Sequence, residues 1–567
     1  MTQGMTTGLG RLGRWLGCSG WAPAAAMLMA VTAAQAQTPV APAGSGTSGY
    51  PYRITVLGNL VWMGDNVGTS SGQYYTVQND IDASATANWN GGLGFAPIGT
   101  DATRFKGVFS GHGKVISHLT INRPVQDNVG LFGFMAPSGE VKDLGVVGAS
   151  VLGGNYVGAL AGYKYGAGAV SGCYATGTVK GSDYVGGLVG VNDGSVSNCS
   201  ANVSVTGGTY VGGLVGYNNG SGSAVAHCHA TGAVAGTNDV GGLAGFSDSG
   251  LVTDCYATGA ATGASYVGGL MGYTYGGTVS VCYATGPVTG ATDCAGGLIG
   301  YDSATAVNRC YATGSVSGNS AVGGLVGQVI DSTVSECYAA GAVTASSSQG
   351  GLAGASFMST MGESYWDTNT TGQATSPAGG TGKSTAEMQQ QATFSGWDFT
   401  NVWRIAGGAT YPVFGLAAVM PAGSGTAGDP HQISLLAHLV WVGENAGSSS
   451  GKYYNVQNDI DASATAAWNH GAGFAPIGSS ATNFLGVLDG GGRVISRVTV
   501  SLPGQTWVGF FGYIGASGVV KNLGLANSSV AGNQTVGGLA GDNHGTVSNC
   551  YTTGSVLGYA NCIGGLV

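Results

Sequence analysis

The chain has 567 residues, among them 109 glycines, with 43% hydrophobic and only 8% charged residues and a formal net charge of −9. Glycine without a strict three-residue period excludes collagen, and aliphatic residues recurring throughout exclude simple disorder. With 17 Lys plus Arg against 26 Asp plus Glu, a counterion-releasing patch for nucleic acid is hard to assemble.

In chain order, residues 1–36 read as a signal peptide. Arg11 and Arg14 precede an apolar run from Trp21 to Ala33, and Ala34-Gln35-Ala36 supplies a small-x-small cleavage site. The run is short for a membrane span, and Cys18 precedes it instead of following it, which does not suit a lipoprotein. No other stretch approaches a transmembrane helix. The expected location is therefore outside the cell, extracellular or on the cell surface in association with an outer membrane. A Pro/Ala-rich linker (37–49) leads into a β-rich leader module (50–150).

Residues 151–355 form a repeat array. The phrase Tyr184-Val-Gly-Gly-Leu-Val-Gly190 returns as Tyr210 to Gly216 and, with Met for Val, as Tyr266 to Gly272. Each copy is followed by a Ser/Thr-Val segment, a cysteine and Tyr-Ala-Thr-Gly or a variant. Cys173, Cys199, Cys228, Cys255, Cys282, Cys310 and Cys337 mark a period of about 27 residues, the length of one solenoid coil. A single coil cannot bury its own apolar face, but stacked coils bury each other's Leu and Val and pair their backbones along the stack. Like residues then form ladders about 4.8 Å apart. The glycines are expected at corners, where positive φ or close backbone approach excludes a Cβ. Helices are excluded, because glycine at this density destabilises every helix interior.

A Trp-rich segment (356–416) with Trp366, Trp397 and Trp403 breaks the period and reads as a closing cap, including a short helix-compatible stretch from Ser384 to Gln391. A linker (417–428) follows. The leader then recurs at 429–529, offset by about 379 residues, with Val77-Gln-Asn-Asp-Ile-Asp-Ala-Ser-Ala-Thr86 repeated identically from Val456. A second array (530–567) stops inside its own phrase at Ile563-Gly-Gly-Leu-Val567, which reads as a piece of a longer protein.

Chemistry-bearing patterns are sparse. Gly68-Thr-Ser70-Ser-Gly72 and Gly447-Ser-Ser449-Ser-Gly451 fit a nucleophile elbow but lack its strand-turn-helix setting and partners. Gly44-Ser-Gly46-Thr-Ser-Gly49 lies in a linker and not in a βαβ unit. No catalytic residues are assigned. Asp80 and Asp82, with their copies Asp459 and Asp461, share a strand face at i and i+2. Three readings stay open: a calcium site, an acid/base pair, or Asx side chains bonding corner amides. His112 and His118 are Gly491 and Arg497 in the second copy, which argues against a shared histidine mechanism. His227 and His229 flank Cys228 without counterparts in other coils. The cysteine ladder reads as buried free thiols. Cys294 and Cys562 stand where other copies have Tyr, each twelve residues after a ladder cysteine, so Cys282–Cys294 and Cys550–Cys562 are candidate disulfides, which export permits.

The Val-Gly-Gly-Leu-x-Gly … Val-x-x-Cys-Tyr-x-Thr-Gly phrase resembles the GLUG motif of bacterial surface and secreted proteins, including filamentous-haemagglutinin-like adhesins. Asn79-Asp-Ile-Asp82 and Ile116-x-x-Leu119-x-Ile121 look like the module preceding such arrays. The resemblance implies an all-β, right-handed parallel β-helix in two similar units, export, and attachment to a host or environmental surface or glycan. An adhesion role is the leading expectation. The alternatives are a polysaccharide-acting β-helix enzyme, for which the array offers only scattered Asp183, Asp193, Asp239, Asp254 and Asp293, and a spacer presenting another domain.

Overall fold

In a computed structural model the described residues are 38–567, apart from 378, 400–401, 406–410, 415–418, 464, 467, 469–472 and 559. The signal-peptide reading, with Cys18, therefore lies outside the described residues. The chain is a parallel β-solenoid. One sheet of nine strands runs from Phe132–Met135 through Val189–Asn192, Val215–Asn219 and Ala244–Asp248 to Ala353–Phe357, each strand pairing with its equivalent one coil away. The remaining strands up to Thr381–Lys383 form a continuous 30-stranded sheet that wraps the other sides, and Trp403–Arg404 pairs antiparallel with Val413–Phe414. The second unit repeats this plan from His431 onward.

In-register pairing follows from the repeat. Val189 faces Val215, which faces Ala244, and Tyr217 faces Phe246. The motif leucines Leu188, Leu214, Leu243, Leu270, Leu298, Leu325 and Leu352 are wholly buried. The amides of the first six donate to the leucine carbonyl of the next coil at 2.8–2.9 Å. Each such burial stabilises by roughly 1.5–3 kcal/mol, and the stack adds one increment per coil.

The motif glycines serve close approach and not positive φ. A Cβ on Gly212 would lie 2.0 Å from the carbonyl oxygen of Val215, and one on Gly213 would lie 2.1 Å from that of Gly242 in the next coil. The left-handed corners are instead taken largely by residues with side chains. One row runs Tyr156, Tyr184, Tyr210, Asp239, Tyr266, Cys294 and Ala321, with φ between 47° and 60°. A second runs Asn198, His227, Asp254, Val281, Arg309 and Glu336, with φ between 50° and 54°. Of the two reasons expected for glycine, close backbone approach governs the motif positions, since coil stacking needs glycine where backbones touch.

Sulfur links the coils inside. The Cys173, Cys199 and Cys228 amides each donate to the cysteine sulfur one coil on, at 3.4 Å, and the Cys199 and Cys228 thiols donate to the carbonyls of Ser197 and Ala226 at 3.1 Å. Ser364 continues the row, accepting from the Cys337 amide at 3.2 Å. Beyond small apolar volume, these positions supply an acceptor at an amide that the strand ladder leaves unpaired.

Helix was not expected in the leader, yet Leu57–Asp65 is helical and buries Leu60 and Met63 in the solenoid core; Leu436–Glu444 is its counterpart. Asn59 anchors the first, accepting from the Thr55 and Val56 amides at 2.9 and 3.1 Å. In the Trp-rich segment Ser384 caps the helix Thr385–Met388. Trp366 lies across Gly351, where a Cβ would sit 2.2 Å from the indole, and completes the core. Trp397 and Trp403 pack elsewhere, against the flank formed by Tyr311, Tyr338 and Tyr365.

Candidate functional site

Strand alternation sends every second residue of the nine-stranded sheet outward. The outward column reads Phe134, Tyr163, Val191, Tyr217, Phe246, Tyr273 and Tyr301. Ring centroids lie 4.9 Å apart for Phe134–Tyr163, 5.0 Å for Tyr217–Phe246 and 4.6 Å for Phe246–Tyr273. The left-handed corner row runs beside it, with Tyr156–Tyr184 and Tyr184–Tyr210 both at 4.8 Å. The two columns touch, Tyr210 reaching both Tyr217 and Phe246 at 5.6 Å. Arg104 closes one end, 4.4 Å above the Phe134 ring.

The result is a half-buried aromatic face fringed by carboxylates. Asp193 accepts from the Asn219 amide at 2.8 Å, and Asp183 accepts from the Thr209 backbone amide at 2.7 Å. Burial, then the Asp193 and Asp248 charges, push the Tyr163 and Tyr217 phenols well above their usual range. Asp239 interrupts the corner column between Tyr210 and Tyr266. It is 6% exposed, its Oδ1 has no hydrogen-bond partner among the described residues, and burial pushes the carboxyl up to about 7.

Beneath the face runs a buried polar row. Asn192 donates to Asn218 at 2.8 Å, Asn218 to the Ser247 hydroxyl at 3.1 Å, and Thr274 to Asp302 at 2.7 Å. Burial pushes Asp302 up to about 6.

Sequence reasoning passed over this face, having treated the phrase as a corner-and-core device. A signal was there: aromatic residues stand seven apart as Tyr156/Tyr163, Tyr210/Tyr217 and Tyr266/Tyr273. That spacing steps from the corner to the adjacent outward strand position.

The residues singled out beforehand are placed as follows. Asp80 accepts from the Val115 amide and Asp459 from the Val494 amide, both at 2.9 Å. Asp82 accepts from the Ser84 amide and hydroxyl at 3.0 Å and contacts His118 at 3.3 Å. The Ser84 bonds, backbone first, and His118 hold its carboxyl below the usual range. Asp461 accepts from Ser463 and pairs with Arg497. The His118/Arg497 exchange thus preserves one contact, a nitrogen-bearing side chain beside the equivalent aspartate. Each carboxylate has a partner within the chain, and no group of three or more His, Cys, Asp or Glu able to hold a metal ion occurs among the described residues.

Ser70 and Ser449 are buried; they bridge backbone segments by accepting from the Lys106 and Leu485 amides at 2.9 and 2.7 Å. His227 pairs with Asp254 at 2.6 Å, whereas His229 stacks on Tyr256 at 4.7 Å, so the two imidazoles are not brought together. Cys282 faces the core and donates to the Ser280 carbonyl, while Cys294 sits at a corner against Gln328. Cys550 and Cys562 are likewise free thiols, so neither candidate pair is joined. A cavity of about 370 Å³ at the last coils is lined by residues such as Ser528, Thr552, Ser555 and Ile563 and brings no titratable group together.

With this geometry in hand, comparison with known proteins bears on the repeat. The family model described as the GLUG motif matches residues 181–206 and 318–344. The chain carries GLUG repeats. Halomucin of Haloquadratum walsbyi is 43% identical over 147 residues, which are 26% of this chain and 2% of halomucin. A "Putative Gly-rich membrane protein" of Evansella cellulosilytica is 39% identical over 137 residues, 23% of this chain and 15% of that protein. The GLUG chain therefore spans a small part of either relative. Among solved structures, a "putative immunoglobulin A1 protease from Bacteroides ovatus" aligns over 65% of this chain and 94% of its own, at 19% identity and a TM-score of 0.33, a likeness too loose to carry an argument. No helix among the described residues is long and apolar enough to cross a membrane.

Proposed function

We propose that this GLUG repeat protein is exported, works outside the cell or on its surface, and adheres to a glycan-bearing surface through the tyrosine face. The observation that carries the reading is the placement of Tyr156, Tyr184, Tyr210 and Tyr266 at left-handed corners. For a bulky L-residue that conformation costs roughly 1–2 kcal/mol, and asparagine or glycine would fill it more cheaply. Asn128 and Thr535 hold equivalent corners in other coils, so tyrosine is not required for folding. Strain retained at repeated half-buried positions of the outward face points to a side-chain function. Aromatic rings with an apolar body and a polar tip suit partly wet surfaces such as sugars present, and one contact per coil gives avidity without any single strong site.

The test is a glycan array with the purified protein and a Tyr184→Asn/Tyr210→Asn/Tyr217→Ser variant, alongside a polysaccharide-depolymerisation assay. Binding should fall at least tenfold in the variant, with unchanged circular dichroism and an equal or higher melting temperature. Binding should occur without turnover. An unaffected variant, or a wild type that binds no glycan, overturns the reading, and depolymerisation would move it to an enzyme.

A further inference from the structure

The interruption of the corner column at Asp239 is chemically unlike the rest of the face. Its neighbours along the column are Tyr210 and Tyr266, one coil to either side. It interacts electrostatically with the phenols of Tyr210, Tyr266 and Tyr273. The carboxylate is more than nine-tenths buried, and Oδ1 has no hydrogen-bond partner among the described residues. A buried carboxylate is normally paired or neutralised, because desolvation costs several kcal/mol otherwise.

The chain offers no cation to do this. From Gly181 to Asn308 there is no Lys or Arg, while seven aspartates occur: Asp183, Asp193, Asp239, Asp248, Asp254, Asp293 and Asp302. Of the two histidines in that stretch, His227 is paired with Asp254 and His229 is stacked on Tyr256. A second copy of the chain, with its net charge of −9, is an equally poor counter-ion. What remains is an acid beneath aromatic rings on a negatively charged, tyrosine-lined surface. Ring faces and a carboxylate together attract an organic cation through its charge and its attached C–H groups. On a face that reads sugars, the ligand that combines a pyranose body with a cation is an amino sugar with a free amine.

We propose that Asp239, framed by Tyr210, Tyr266 and Tyr273, is the recognition point for the free ammonium group of a hexosamine in a surface polysaccharide. The pyranose lies against the tyrosines, and the ammonium displaces the frame enough to pair with the carboxylate. Neutral N-acetylated sugars lack the charge, and acidic polysaccharides are repelled by the surrounding aspartates. This deepens the reading of the tyrosine face as the binding face and depends on it.

Titration calorimetry at pH 6.5 with the full chain tests it, using glucosamine tetramer, its fully N-acetylated counterpart and a glucose tetramer. The free amine should bind at least tenfold more tightly than either neutral oligomer. That preference should vanish in Asp239→Asn, a substitution that keeps a residue tolerant of the left-handed corner, so its melting temperature should not fall. Equal binding of amine and acetamide by the wild type overturns the proposal without reference to any variant. So does an unchanged amine preference in Asp239→Asn. Loss of all oligomer binding in the tyrosine triple variant together with retained amine preference in Asp239→Asn would defeat only the Asp239 assignment. Undiminished binding of the amine oligomer in the triple variant would defeat the face reading itself.

Discussion

At the scale of single residues, corner geometry and burial decide most of what is unusual. Tyrosine in the left-handed region and an unpartnered aspartate in the same column both oppose stability, and both lie on the outward aromatic face. For Asp239 the opposition has a sign in pH. Its folded pKa of about 7 stands above the ordinary carboxyl value of 3.8, so the folded state holds the proton more tightly than the unfolded chain. Stability from this group is fully present below about pH 4 and lost as pH rises toward 7. Tyr210, Tyr266 and Tyr273, which surround it, stay protonated throughout this window. Asp302 titrates nearby but does so in both proteins. Asp239→Asn should therefore gain on the wild type between pH 4 and pH 8, by on the order of 2–4 kcal/mol, read as a widening difference in thermal or denaturant midpoints. A constant difference across that range would show that the carboxylate is solvated or paired.

At the scale of elements, the cysteine ladder explains a residue choice that composition leaves open. At Cys228 the strands before and after the cysteine pair with their neighbours, and the Cys255 sulfur accepts from the Cys228 amide in the break between them. Burial pushes the Cys255, Cys282 and Cys310 thiols far up, so the thiolate that would react is scarce. With a thiol reagent under native conditions, the exposed Cys562 should label first and the half-buried Cys550 slowly. The ladder from Cys173 to Cys337 and the buried Cys294 should label only on unfolding. Protection of Cys562 together with Cys550 would instead mean that these two are joined. Peptide mapping before and after reduction reads the difference.

At the scale of the molecule, each coil touches mainly its neighbours, so stability is nearly one-dimensional and perturbations stay local. Trp403 tests this. It is wholly buried against the tyrosine flank, 4.4 Å from Trp397 and 4.5 Å from Phe414. Trp403→Ala should cost about 3–5 kcal/mol locally. By hydrogen exchange, protection should fall in the coils holding Tyr311 and Tyr338 and remain unchanged around Val185 to Val215. A uniform loss along the first unit would show that the array unfolds as one body.

The solenoid, its coil length and the buried cysteine and leucine ladders were legible from the residues, because stacking forces every coil to obey the same apolar pattern and repetition makes that pattern visible. The helix Leu57–Asp65 was not, since Gly58 and Gly64 within it argue against a helix and only its burial against the core offsets them. Nor was it legible which of the two reasons for glycine applies at the motif, because glycine signals both a tight approach and a left-handed turn and a linear chain does not separate the two. The tertiary structure alone decided that residues seven apart meet as adjacent aromatic columns, and that an aspartate among them is left without a partner. Those are relations between coils about 27 residues apart, set by register and by which side of the sheet each side chain faces.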